Sequence, residues 1–151
     1  MRWPALLFGV VFIAASSACQ QEFEPPDRGE RVDRAAARYT SDLFDSVTWV
    51  ADDVRLTVGN EVYAGRCRRC HGTLGLGETD YARERRLTVP SLVASEWPYA
   101  DLDSLRRKIF VGHESGMPIY GDGELTHREI DATAAYILLT LRPDVLLEDH
   151  S

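Results

Sequence analysis

Three stretches of the chain carry apolar residues at intervals of three and four, which is the spacing that one face of an α-helix requires. They cover roughly residues 56–71, 101–111 and 126–142. Apolar residues also recur at helical spacing within residues 39–54, although residues 46–50 would serve equally as a strand. The pattern therefore predicts an all-α fold whose helices are joined by glycine-rich loops.

Local signals mark the ends of two of these helices. Thr126 and Glu129 have the spacing of a capping box at the start of the last helix, and a proline follows its end. Either Asp101 or Asp103 can cap the middle helix, which Gly112 ends. These signals predict where both helices begin.

Residues 1–18 are typical of an export signal. They have a short basic start, an apolar run at residues 5–15 and small residues before Cys19. The run is shorter than the ~20 residues that cross a bilayer comfortably. Cys19 after small residues resembles a bacterial lipoprotein signal, in which this cysteine carries the lipid, although Ser16 stands where that family usually has leucine. An ordinary cleaved signal and an uncleaved anchor are the alternatives.

The rest of the chain divides into four parts by composition. We expect residues 19–38 to be a tether, because residues 20–34 hold eight charged residues, a pair of prolines and only two apolar side chains. Residues 39–52 are expected to pack on the domain as an N-terminal extension. The predicted domain covers residues 53–143, and an acidic tail covers residues 144–151.

Net charge and cysteine content narrow the function. The formal net charge is −7, which argues against a nucleic acid as partner. Cys67 and Cys70 lie three residues apart and Cys19 stands alone, so no further pair is left for a structural disulfide. We therefore expect packing, together with a cofactor that adds apolar bulk, to stabilise a domain of this size.

Cys67, Cys70 and His71 form a C-x-x-C-H run at the end of the first predicted helix. Two thiols at this spacing can each form a thioether with one vinyl group of a porphyrin, and the histidine can then bind the iron. A zinc site would need a second ligand pair, and a thiol redox pair would be expected near a βαβ pattern. The sequence shows neither, so one covalently bound haem c is the expected cofactor.

Over residues 53–143 the chain resembles a class I c-type cytochrome. The matching positions comprise a glycine and an aromatic in the first helix, the attachment run with its following glycines, a Pro-x-Leu segment, a methionine loop and an aromatic in the last helix: Gly59, Tyr63, Cys67, Cys70, His71, Gly72, Gly75, Gly77, Pro90, Leu92, Gly116, Met117, Pro118 and Tyr136. The resemblance implies helices wrapped around a single haem. Thr133 stands where the family often has leucine, which predicts that the crossing of the first and last helices is either looser or compensated by the N-terminal extension.

The resemblance also implies which residues bind the iron. His71 would be one axial ligand, and the backbone carbonyl of Pro90 would orient its ring. Met117 would be the other ligand, because a soft thioether stabilises reduced iron and suits an electron carrier. His113 is the rival for this position, and we expect it to be a solvated loop histidine instead.

Three residues are candidates for contact with the propionate groups of the haem. Trp97 can donate its indole N–H to a propionate, and its alternative role is that of a core aromatic. Arg106 or Arg107 could neutralise a propionate, but a solvated helix face is the simpler interpretation for both.

Together these features predict an electron-transfer protein rather than an enzyme. If Met117 fills the sixth position of the iron, no open site is left for a substrate. We expect the protein to be exported, held by a lipid at Cys19 on the periplasmic side of a bacterial membrane, and to exchange electrons with a donor and an acceptor protein. The alternatives are a fixed cytochrome subunit of a larger membrane oxidoreductase, and a haem sensor or small peroxidase with an open iron.

Overall fold

A computed structural model describes residues 25–99 and 101–142. All regular structure in these two ranges is helical, which confirms the all-α prediction there. The predicted signal at 1–18, Cys19 and the tail at 144–151 lie outside the described residues. No helix in the described part of the chain is both long and apolar enough to cross a membrane.

Six α-helices are described, and short 3₁₀ or π segments extend or connect them. The α-helices are α1 (Arg28–Arg38), α2 (Asp52–Val62), α3 (Arg68–His71), α4 (Asp80–Glu84), α5 (Leu102–Val111) and α6 (His127–Tyr136). The 3₁₀ segments are Ser41–Phe44 and Tyr120–Asp122, and the π segments are Tyr63–Cys67 and Ile137–Leu141.

Helix α1 corrects the expectation of a tether over residues 19–38, at least from residue 28 onward. The Asp27 carboxylate caps it by accepting the Glu30 N–H at 2.8 Å. Ala35 is fully buried, and Val32 and Ala36 pack against the core. The charged residues lie on the outer face of an amphipathic helix, so the high charge of the segment did not mean a lack of structure.

Residues 39–52 lie against the helical core. The Phe44 ring is buried there, and the Tyr39 hydroxyl donates to the Asp103 carboxylate of α5 at 2.7 Å. Farther along, the Trp49 indole N–H donates to the Asp131 carboxylate of α6 at 2.7 Å. Residues 46–50 form neither a helix nor a strand.

The crossing of α2 and α6 brings two backbones into close contact. A Cβ atom at Gly59 would lie 2.2 Å from the Ala132 carbonyl oxygen and 2.7 Å from the Tyr136 Cβ. Only glycine permits this approach without movement of a helix. Thr133 is fully buried, and its hydroxyl donates to the Glu129 carbonyl at 2.7 Å. The crossing is therefore tight despite the missing leucine.

The capping signals identified in the sequence are present in the structure. The Asp101 carboxylate accepts the Ser104 N–H at 2.8 Å, which selects Asp101 over Asp103 as the cap of α5. Gly112 ends that helix with a φ of 72°, a conformation that favours glycine. Thr126 and Glu129 form both bonds of the capping box of α6.

Asp131 of α6 is the centre of a buried ion cluster. Its carboxylate accepts five hydrogen bonds, one from Trp49 and two each from Arg55 and Arg106. The cluster joins the N-terminal extension, α2, α5 and α6. Arg106 therefore belongs neither to a propionate nor to a solvated helix face, which corrects the sequence interpretation.

Candidate haem site

The C-x-x-C-H run follows a local change of helical geometry. After α2 the chain widens into the π segment Tyr63–Cys67 and returns to α-helical turns at Arg68–His71. Gly72 ends the helix with a φ of 79°, and its carbonyl accepts the Tyr63 hydroxyl at 2.7 Å. The run therefore lies at the C-terminal end of the helix, and the Tyr63 hydroxyl ties that end to the preceding turns.

A cavity of about 430 Å³ lies beside this run. Aliphatic and aromatic side chains from α5, α6 and the loops between helices form most of its wall. Every haem-site residue predicted from the sequence lines it, namely Cys67, Cys70, His71, Pro90, Trp97 and Met117. Residues up to 50 positions apart in the sequence thus meet at one mostly apolar cavity.

The environment of the two cysteines does not suit thiolate chemistry. Burial raises the pKa of the Cys67 thiol to about 12, and it also raises the pKa of Cys70. Reactive thiols of redox pairs are instead thiolates, whose pKa is lowered by nearby positive charge; Arg69 and Arg85 act in that direction on Cys70, but burial outweighs them. The raised pKa values therefore disfavour a redox pair. Across residues 25–99 and 101–142, no three His, Cys, Asp or Glu side chains come close enough to hold a metal ion together, which disfavours a zinc site there.

His71 is held in the cavity wall with a polar atom left unpaired. Burial lowers the pKa of its imidazole, while the Pro90 carbonyl acts in the opposite direction. The contact with Pro90 does not reach full hydrogen-bond geometry, and the buried Nδ1 has no other partner among the described residues. A Cβ at Gly77 would lie 2.4 Å from the Val89 carbonyl, so glycine permits the segment before Pro90 to pack closely.

The methionine loop closes directly after α5. The His113 N–H donates to the Met117 carbonyl at 3.1 Å, which joins the two ends of the loop. Met117 is half-buried, whereas His113 is exposed and its Nδ1 accepts the Ser115 N–H at 3.1 Å. Both residues line the cavity. The lone pair of His113 Nδ1 is already used as a hydrogen-bond acceptor.

Trp97 and Arg142 form a stacked pair that the sequence did not predict. Trp97 is buried, and its indole N–H finds no acceptor within the described ranges. The Arg142 guanidinium lies 4.6 Å from the centre of the Trp97 ring and donates to the carbonyls of Leu92 and Ala94. This arrangement fixes the indole in the cavity wall, and burial lowers the pKa of Arg142.

Arg106 and Arg107 do not line the cavity. Its charged lining instead includes Arg66, beside the first cysteine, and Lys108 of α5, whose ammonium lies 5.7 Å from the centre of the Tyr99 ring.

The family described as cytochrome c oxidase, cbb3-type, subunit III matches residues 54–137. The chain belongs to this family. The match includes the C-x-x-C-H run and the methionine loop, and it confirms that the chain has a c-type cytochrome domain. No solved structure matches the chain.

The residues of the cytochrome fit a covalent haem c. The apolar cavity, the two adjacent thiols, the His71 ring in the cavity wall and the unpaired indole N–H of Trp97 are the features that such a group would use. In a c-type domain the haem is attached through the two cysteines of this run, which are Cys67 and Cys70 here. Its iron supplies one-electron exchange between Fe(III) and Fe(II).

Proposed function

We propose that this cytochrome is a mono-haem carrier of single electrons whose iron is held by His71 and Met117. The observation that supports the proposal is the meeting of Cys67, Cys70, His71 and Met117 at one apolar cavity. Within it His71 would hold the iron through one ring nitrogen, and the Pro90 carbonyl beside the imidazole would keep the ring oriented through the other. The lining is mostly apolar, which suits the apolar face of a porphyrin.

The preference for Met117 over His113 rests on softness and availability. A thioether favours Fe(II), whereas a second imidazole favours Fe(III) and lowers the reduction potential. His113 is exposed and its Nδ1 already accepts a backbone N–H. Trp97, with its unpaired indole N–H, is the proposed donor to a propionate.

Two single substitutions test the ligand assignment. Met117→Ala should remove the weak far-red charge-transfer band expected for Met–Fe(III), lower the reduction potential and allow carbon monoxide to bind the reduced iron. His113→Ala is the matched control and should leave all three readouts close to the wild type. If His113→Ala removes low-spin character while Met117→Ala changes nothing, the assignment is wrong. Carbon monoxide binding to the native reduced protein would favour a sensor or peroxidase.

The second candidate function is that of a fixed subunit in a membrane oxidase. It is favoured by the family match, since the family description names an oxidase subunit. Purification under mild detergent, followed by native electrophoresis with a haem stain, separates the two candidates. A free carrier should migrate alone, whereas a subunit should migrate with a larger complex and supply electrons to it.

The proposed location is the periplasmic side of a bacterial membrane, with a lipid anchor on Cys19. It is supported by the signal-like pattern of residues 1–18. Several acyl chains would hold the protein firmly, because each buried CH₂ contributes about 0.8 kcal/mol. The protein should therefore stay with membranes through a high-salt wash, and mass spectrometry should find acyl groups on Cys19. Unmodified mature protein would contradict the anchor.

A further inference from the structure

Arg28, the first residue of α1, contacts the methionine loop from outside the domain that the family match covers. Its Nε donates to the His113 carbonyl at 3.1 Å, and its Nη2 donates to the Met117 carbonyl at 2.6 Å. The Met117 carbonyl also accepts the His113 N–H at 3.1 Å. One guanidinium therefore donates to the carbonyls at both ends of the loop, those of His113 and of the proposed ligand Met117.

Helix α1 is held in place by contacts that do not involve this loop. Ala35 is fully buried in the core, and Arg31 and Arg38 both pair with Asp122. Asp27 caps the helix immediately before Arg28, which fixes where the arginine side chain begins. The guanidinium thus extends from a fixed helix to the loop, rather than from a flexible terminus.

Within the loop itself, His113 is hydrogen-bonded to Ser115, Gly116 and Met117, whereas the Arg28 bonds connect the loop to a helix. Gly112 and Gly116 both adopt positive φ values, and residues 113–116 are exposed. Short exposed segments of this kind open more easily than the helices around them. A charged donor with two parallel N–H groups is well suited to hold two neighbouring carbonyls, because a guanidinium has a rigid fork of donors.

We propose that Arg28 is a positioning residue that keeps the Met117 loop closed over the haem cavity. Loss of the two bonds would favour the open loop and so favour replacement of methionine by an external ligand. The inference rests on the proposed ligation by Met117. It adds that Met117 stays bound to the iron more firmly when α1 is folded, although α1 lies outside residues 54–137.

The test measures how readily imidazole displaces methionine from the oxidised iron. Imidazole is titrated into the full haem-loaded protein, and loss of the far-red band is followed. Arg28→Gln should bind imidazole about tenfold more tightly than the wild type, since two bonds from a charged but exposed donor hold the closed loop. Arg28→Lys should be intermediate, because one ammonium replaces the two forked donors.

Arg38→Gln is the matched control, because it removes an arginine of the same helix that binds Asp122 and not the loop. Its imidazole affinity should stay within about twofold of the wild type. Thermal unfolding followed by circular dichroism shows whether Arg28→Gln has lost α1 or the whole fold instead. If it has, Arg28→Lys decides, and wild-type affinity in that variant overturns the inference.

The outcomes separate this inference from the proposed ligation. If the wild type lacks the far-red band, or Met117→Ala keeps it, both proposals are overturned. If the band depends on Met117 but Arg28→Gln binds imidazole like the wild type, only the role of Arg28 is overturned. Equal effects in Arg28→Gln and Arg38→Gln would also overturn it, because they would indicate general loosening of α1.

Discussion

Replacing the buried Asp131 with asparagine should strongly destabilise the protein, because three side chains donate hydrogen bonds to its carboxylate. Asp131 is 1% exposed and accepts hydrogen bonds from three residues, while the Arg55 and Arg106 side chains are 16% and 19% exposed. Asparagine is nearly the same size but turns one acceptor atom into an NH₂ donor. That donor would face the N–H groups of Trp49, Arg55 or Arg106.

The expected loss follows from the burial of the cluster. Removing one partner of a buried ion pair typically costs about 3–5 kcal/mol, because the remaining charge is left without compensation. The two arginines are partly exposed and can be partly rehydrated. We therefore expect the free energy of unfolding to fall by about 3 kcal/mol, the lower end of this range. For a domain of this size that corresponds to a fall of roughly 10 °C in the unfolding temperature.

Asp122 provides a matched control for the measurement. It also pairs with two arginines, Arg31 and Arg38, but its side chain is 36% exposed. Asp122→Asn should therefore cost less than about 1 kcal/mol, and its effect should shrink further in high salt. Urea unfolding of the haem-loaded proteins, followed by far-UV circular dichroism, gives both values. The reasoning is refuted if Asp131→Asn lowers the free energy of unfolding no more than Asp122→Asn does.

Two other expectations concern helix packing and acid stability. Gly59→Ala should cost about 3 kcal/mol, because its Cβ would overlap the Ala132 carbonyl, whereas Gly65→Ala meets nothing within 4 Å and should be neutral or gain up to about 1 kcal/mol in urea unfolding. The Ser104 N–H lowers the pKa of Asp101, so this cap stabilises the fold above the ordinary aspartate pKa of about 3.9 and loses its effect as pH falls through the lower folded-state value. Asp101→Asn keeps a cap that does not titrate, so its unfolding free energy should fall less steeply as the pH drops below about 4; equal slopes would contradict this role.

The parts of the fold that were predictable from the sequence depend on short-range patterns. Thr126 and Glu129 are three residues apart, and their capping box follows from that spacing. The thiols of Cys67 and Cys70 are likewise neighbours on one helical turn. The resemblance to a known family then brought distant residues such as Pro90 and Met117 to the same site, and all of them line the cavity.

The contacts that the sequence did not predict join residues far apart in the chain. Arg28 reaches carbonyls 85 and 89 positions away, and Trp49 reaches Asp131 across 82 positions. Nothing in the local sequence distinguishes an arginine that binds a distant carbonyl from one that faces water. Helix α1 is hidden for a different reason: the charges and prolines of residues 20–34 dominate the composition of this segment, whereas its buried side chain, Ala35, follows them.

Residues on both sides of the matched range 54–137 complete the core, so they determine the shortest fragment that can be moved into another protein. A fragment limited to residues 54–137 would keep Asp131 but lack the Trp49 indole that binds it. It would also lack Phe44 from the core and Arg142 from the back of Trp97. A chimaera or shortened electron-transfer module based on this protein should therefore span at least residues 27–142.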